Sequence, residues 1–308
     1  MARSDQSAQY EPNRRSRRLL GPAFGMLCLL ATSTGVVVLS VMLGAVVGAV
    51  LRGPGGRSVG GTLHHLVSHF QSSEPERAGF YAGLMGSLWL LGLVAAFAIP
   101  VGVGAAVFLE EFAPPGRVRR VIQLNIANLA GVPSIVYGIL GLAVFVRAFG
   151  VRSLALGPKL WAGSLTLGLL ILPVIVIAAQ EALRTVPGSL RQAALALGAS
   201  RWQVVRDHVL PSAVPGILTG VILALSRAIG ETAPLLMVGA AGSILRIPRG
   251  PSDRYTALPV EIYNYAKDPD VKFQAVAAGG ILILLALLLT MNATAIVIRN
   301  RYARPTRS

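Results

Sequence analysis

Long stretches without a charged residue alternate along the chain with short basic segments. Five stretches are unbroken: Ala23–Leu51, Ala78–Leu109, Val121–Val146, Leu160–Gln180 and Phe273–Ile298. A sixth, His208–Leu245, is interrupted only by Arg227 and Glu231. A helix needs roughly 20 apolar residues to cross a bilayer, so the pattern predicts an all-α polytopic membrane protein with six transmembrane helices. Ala78–Leu109 holds 32 residues, with Pro100 inside it. That length predicts a tilted or kinked span, or a helix that continues beyond the bilayer. Arg14, Arg15, Arg17 and Arg18 precede the first run, as in a signal peptide, but a signal core is only about 7–15 residues long, so the run reads as an uncleaved span.

Composition sharpens this picture. Hydrophobic residues make up 54% of the 308 and charged residues 13%, with a mean hydropathy of +0.64. Soluble domains carry about 25% charged residues. A soluble domain of this size could not bury so much apolar surface, and disorder has the opposite composition. The net charge is +15, but the basic residues fall in short groups between apolar runs. That distribution fits membrane lipid headgroups and no nucleic acid. With the N-terminus inside, inner segments hold 16 Lys and Arg against 11 in outer loops. The excess predicts both termini on the cytoplasmic side.

Several features carry little chemistry. Cys28, the single cysteine, reads as lipid-facing or core filler. His64, His65 and His69 lack the further converging ligands of a metal site, so no metal is expected. No cofactor is expected either. Gly44-x-x-x-Gly48 and Gly216-x-x-x-Gly220 fit close helix packing. There is no Gly-x-x-x-x-Gly-Lys-Ser/Thr loop and no nucleophile–base set, so the chain does not read as an enzyme.

Three segments do carry chemistry. Arg227 and Glu231 lie four apart within the fifth run and are expected to pair on one helix face. Intramembrane charge lines a water-filled path or fixes helix packing, and both readings stay open for the pair alone. If an anion passes, Arg227 is the attractor, because guanidinium matches oxyanion geometry, and Glu231 tempers its affinity. Asn125, Asn128, Gly131, Pro133, Ser134 and Tyr137 put polar groups and a proline into the third run. Irregular backbone at that depth needs protein or a cavity to cover it, and Ser134 and Tyr137 share a face. The loop Glu181–Asp207 predicts a helical hairpin. Leu190, Ala194 and Leu197 form a short apolar stripe, Gly198 stops the helix, and Trp202, Val205 and Val209 begin a second apolar face. The hairpin reads as a docking knob for a soluble partner or as a helix lying on headgroups.

Taken together, these segments resemble the permease subunits of bacterial ATP-binding-cassette importers. That family carries a cytoplasmic signature of Glu-Ala-Ala, three residues, Gly, nine residues and Ile-x-Leu-Pro. Here it reads Gln192-Ala193-Ala194, Gly198 and His208-Val209-Leu210-Pro211, with Gln192 and His208 departing from the pattern. Within the superfamily the likeness is to PstA-type phosphate permeases. It is carried by Leu129–Gly138, Leu225–Leu235, Thr256–Tyr263 and Arg299–Tyr302.

The resemblance implies a type I ABC importer permease core at 79–298, with a cytoplasmic coupling loop at 181–211. Around it lie a basic tail at 1–22, a first helix at 23–51, an extracytoplasmic loop at 52–78 and a basic tail at 299–308. It also implies location in the bacterial plasma membrane and import of phosphate past Arg227, Glu231, Ser134 and Tyr137. Force would arrive from a PstB-type ATPase dimer through Gln192, Ala193, Ala194, Gly198, Leu210 and Pro211. A homologous PstC-type permease and an extracytoplasmic PstS-type phosphate-binding protein would complete the complex, the latter facing the loop Ser243–Lys272. Rival readings are a permease for another oxyanion, an ion-coupled secondary carrier and a non-transporting membrane scaffold.

Overall fold

The computed structural model describes residues 14–52, 59–151, 153–240, 244 and 246–302. Expectations on the tail before Arg14, on Arg57, Arg152, Ser243 and Leu245, and on Arg304 and Arg307 lie outside the described residues. Within them every regular element is helical. Five helices are long and apolar enough to cross a membrane, and a sixth crossing exists if one sharply bent pair is counted as a single span.

The chain begins with α1 (Arg14–Leu51), whose helix starts well ahead of the apolar run, and continues through the short α2 (Val59–Ser68) into α3 (Tyr81–Val107). Despite Pro100, α3 continues into a π-helical turn, Phe108–Phe112, so the overlong second run ends in one extended helix with Glu110 and Glu111 at its tip. The third run is not one straight span. It divides into α4 (Arg117–Ala130) and α5 (Ser134–Gly141), which meet at an angle of 101°. Pro133 is the cause: it has no amide to donate, and its ring would collide with the Leu129 carbonyl four residues back.

Next, α6 (Leu160–Arg184) runs beyond the apolar limit at Gln180 and leads into α7 (Gly188–Ala196). Gly198 adopts φ +83°, the left-handed conformation that ends the helix as expected. Then comes α8 (Arg201–Val204), opened by a capping box in which Ser200 and Gln203 satisfy each other's free amides. The fifth span differs from expectation at both ends. It begins inside the predicted loop, where α8 passes through a π turn, Val205–Val209, into α9 (Leu210–Gly230). The wider turn absorbs the amide missing at Pro211. It ends at Gly230, before Glu231, because Pro234 can neither bond nor clear the Gly230 carbonyl. The remaining helices are α10 (Ala233–Val238), α11 (Leu258–Ala266) and α12 (Lys272–Tyr302).

Packing centres on α6. Leu160, Ile171, Ile175 and Leu183 are almost wholly buried there against α3, α9, α5 and α10. Gly216 and Gly220 let α9 lie directly on Ala182 and Ala178 of α6, as the small-residue spacing predicts. Gly44 and Gly48 on α1 face open space instead, and Cys28 on the same helix is exposed, hence lipid-facing. Ser226 on α9 bonds Asn292 on α12 at 2.6 Å, while Arg299 reaches back to Thr219 at 3.4 Å. These pairings run the two helices antiparallel, so the end of α12 lies on the same side as the α7–α8 hairpin.

A smaller core closes the opposite end, where Phe80 meets Tyr265 edge-on and Tyr265 stacks on Phe273. Glu261 of α11 is buried completely there, beside Gly83 in the uncapped first turn of α3. The Gly83 amide favours the charged form, but neither carboxylate oxygen makes a hydrogen bond of normal geometry. Burial pushes this carboxyl up to about 8 and the Tyr255 hydroxyl nearby higher still than its ordinary value.

Two outcomes follow from this packing. Gly220→Leu drives a side chain into Ala178 and is expected to lower stability by about 1–3 kcal/mol in a detergent melt. Gly44→Leu, on the open face, is expected to leave the melt unchanged. Glu261 holds its proton more tightly when folded than when unfolded, so folded protein binds the extra proton between the ordinary carboxylate range and pH 8. Stability therefore falls as pH rises through that interval and levels off above it. Glu261→Gln is expected to flatten this dependence, measured as melting temperature against pH.

Candidate functional site

The two proline-broken segments that the sequence singled out meet face to face. Gly138 on α5 lies so close to the start of α10 that a methyl group there would sit 2.7 Å from the Cα of Pro234. At the elbow before α5, the Leu129 carbonyl that Pro133 cannot serve accepts from the Tyr137 hydroxyl at 2.8 Å and from the Val132 amide at 3.1 Å. Tyr137 is thereby buried with its polar tip satisfied. Ser134, half-buried, opens α5 one turn ahead of it.

Arg227 stands in the last turn of α9 and Glu231 just past its end, in extended backbone. The expected ion pair forms, Nε to Oε1 at 3.2 Å, but across a helix terminus and not along a continuous helix. Glu231 is largely covered and Arg227 is about half exposed. Among the described residues, the two terminal nitrogens of Arg227 make no hydrogen bond, so a guanidinium edge faces outward. A cation in the last turn also lies where the helix dipole favours it. Because Gly138 abuts Pro234, Tyr137 and the Arg227–Glu231 pair lie around one junction of α5, α9 and α10.

The hairpin has a different outer surface from the one the apolar stripe predicts. Leu190 and Ala194 pack inward, as do Val205 and Val209. The exposed apolar groups are Leu195, Leu197 and Trp202, with Leu197 89% exposed at the tip. The stripe reading erred because α7 turns its i, i+4 face inward, against α8 and the π turn Val205–Val209, and leaves the tip bare. Gln192, Ala193 and Gly198 are exposed, whereas Pro211, also exposed, and the half-buried Leu210 open α9.

Sequence reasoning missed the acidic tip of α3. Glu110 accepts from Arg119 of α4 at 3.0 Å, Arg184 of α6 at 2.7 Å and Gln180 of α6 at 2.9 Å. Glu111 takes a two-pronged bond from Arg191 of α7, at 2.7 and 3.3 Å. Both carboxylates are about nine-tenths covered. Their adjacent position at the end of an apolar run was the only signal. At the other end, His65 of α2 and His69, just past its end, stack at 3.9 Å.

A family model described as "Binding-protein-dependent transport system inner membrane component" matches residues 98–302. "Phosphate transport system permease protein PstA 1" of Mycobacterium tuberculosis is 39% identical over 228 residues, 73% of this chain and 72% of that one. "Phosphate transport system permease protein PstA" of Haemophilus influenzae is 33% identical over 229 residues, covering 73% and 78% of the two chains. Among solved structures, a bacterial alginate ABC transporter in complex with an alginate pentasaccharide-bound periplasmic protein shares the fold with a TM-score of 0.63. That match is 18% identical and covers 94% of this chain and 99% of the other. The fold, the broken helices and these likenesses converge: the chain belongs to the family of binding-protein-dependent transport system inner membrane components, the permeases of ATP-binding-cassette importers.

Proposed function

We propose that the chain is the PstA-type permease subunit of an ATP-driven importer of inorganic phosphate and forms half of its translocation pathway. The observation that carries this reading is Arg227. Its guanidinium is held on one side by Glu231 and is about half exposed on the other, at the junction of two broken helices. Such a fork suits an oxyanion, and Glu231 keeps the net charge low enough for the anion to leave. Likeness to phosphate permeases in two organisms supports phosphate as that anion.

The remaining parts fit the same machine. Exposed apolar residues on α5, among them Ile135, Val136 and Ile139, offer a face to a homologous PstC-type permease that would close the pathway over Arg227. The α7–α8 hairpin would insert Leu197 and Trp202, with Gln192 and Ala193 beside them, into a PstB-type ATPase. A PstS-type phosphate-binding protein would deliver substrate at the opposite end, near the loop that follows α10. On this reading the hairpin side is cytoplasmic, and the antiparallel α9–α12 pairing supports a cytoplasmic position for the end of α12 as well.

Cells that lack this chain and every other phosphate uptake system provide the test. Wild-type chain is expected to restore uptake of radiolabelled phosphate that stops on ATP depletion and ignores excess sulfate. Arg227→Gln is expected to remove at least about 90% of that uptake, a loss in line with deleting one charge-assisted contact to an anion, while the complex still assembles. Competition by sulfate would reassign the substrate. Uptake that survives ATP depletion but collapses with an ionophore would replace the importer by an ion-coupled carrier.

A further inference from the structure

The hairpin's force has to reach the Pro133 elbow, and the acidic tip of α3 is built to carry it. Both arms of the hairpin rest on the π turn Phe108–Phe112. The first arm, α7, is fixed by Arg191, which forks onto Glu111 and also donates to the Val186 and Leu183 carbonyls at 2.7 and 2.9 Å. Leu183 is in the last turn of α6 and Val186 lies just past its end, so Arg191 also ties α7 to the end of α6. The second arm, α8, brings Trp202 to 6.4 Å from Phe112, ring centre to ring centre. One residue before Glu111, Glu110 binds α6 through Arg184 and Gln180 and α4 through Arg119. The other end of α4 is the elbow, where Tyr137 ties Leu129 to α5.

We propose that Glu110 and Glu111 are positioning residues that join the hairpin to the elbow as one moving body, so that displacement of α7 turns α4 and shifts Tyr137 relative to Arg227. Adjacent residues on a helical turn point in different directions, so one two-residue step hands force from α7 to α4. The carboxylates are mostly covered, and a covered charge that loses its partner is strongly penalised. The pairs therefore persist while the elements move and act as stiff links, not as contacts that form and break. In contrast, Arg77 with Glu74 and Arg206 with Asp207 are exposed ion pairs on the protein surface, free to open in water. The inference rests on the importer reading for the direction of the force and on geometry alone for the link.

The test uses the complete complex in proteoliposomes, with ATP hydrolysis and phosphate uptake measured on the same preparation. Glu111→Gln and Arg119→Gln are expected to assemble and to keep at least half of wild-type hydrolysis. Phosphate moved per ATP is expected to fall about tenfold, within the range of ordinary coupling between sites. Arg119→Lys, which can still meet the one Glu110 oxygen that Arg119 uses, is expected to recover most of the ratio. The double variant Glu111→Gln with Arg119→Gln is expected to be no worse than either single, as for two links in one chain. Transport and hydrolysis that decline in proportion would overturn the proposal, as would variants with wild-type coupling or full additivity of the two.

A second readout is independent of substrate. Nitroxides at Leu124 on α4 and Leu223 on α9, both exposed, in a chain with Cys28→Ser, are expected to report an ATP-dependent distance change that Glu111→Gln abolishes. A change that survives in the variant sinks the link. Absence of phosphate uptake by wild type, with the distance change intact, sinks the substrate assignment and leaves the link standing.

Discussion

A carbonyl freed inside hydrocarbon must find another donor, because no water is there to serve it. Pro100, Pro173 and Pro215 impose that condition within continuous helices, whereas Pro133 and Pro234 sit where helices break, and the site is built around those two breaks. Leu129 is satisfied by a tyrosine hydroxyl and a nearby amide. The end of α9 is turned aside at Gly230 so that Glu231 leaves the helix and can fold back on Arg227. The two breaks then cover one another through the close approach of Gly138 to Pro234. Irregular backbone, a buried tyrosine and a half-exposed arginine are thus consequences of where two rings lack a hydrogen.

Stiffness is distributed unevenly around these breaks. The body formed by α3, α6 and α9 is held by close small-residue packing, with Gly102 on Ile175 and Gly220 on Ala178, and has little freedom to shear. Helix α4, by contrast, has no residue buried in this chain. It is held by Arg119 at one end, by the elbow at the other and by partly covered contacts with α6 between them, a looser hold than that on α6 or α9. Motion passed from the hairpin through the π turn at the end of α3 would then meet its stiff resistance in α6 and α9 and its looser response in α4.

Much of this was legible in the chain itself. Spans are written as uncharged runs, Gly198 as a stop, and the Arg227–Glu231 pair as a spacing of four. The fold's departures come from interactions that spacing does not encode. A proline announces a break but not its angle, since 101° is set by what α4 and α5 pack against. The pairings of Glu110 and Glu111 with Gln180, Arg184 and Arg191 join residues 70 to 80 positions apart, beyond any local periodicity. The hairpin stripe misled because α7 is too short for amphipathicity to say which face meets protein. Glu261 passed unnoticed because a carboxylate on a short helix reads as solvated, whereas α3 and α11 enclose it entirely.

The half-exposed guanidinium of Arg227 has a further consequence for how long this chain survives in a membrane. A cation facing lipid at the centre of a span costs about 2.5–3.5 kcal/mol on the insertion scale, and Arg227, left half-covered near the end of α9, would bear part of that cost. Covering it with another chain removes that cost, so the folded state is stabilised by mass action in two dimensions. Its persistence becomes a function of how densely its complement is supplied per unit area of membrane. A cell that makes the two in unequal numbers would then hold the surplus in its less stable form, and quality-control proteolysis would set the stoichiometry that synthesis had not.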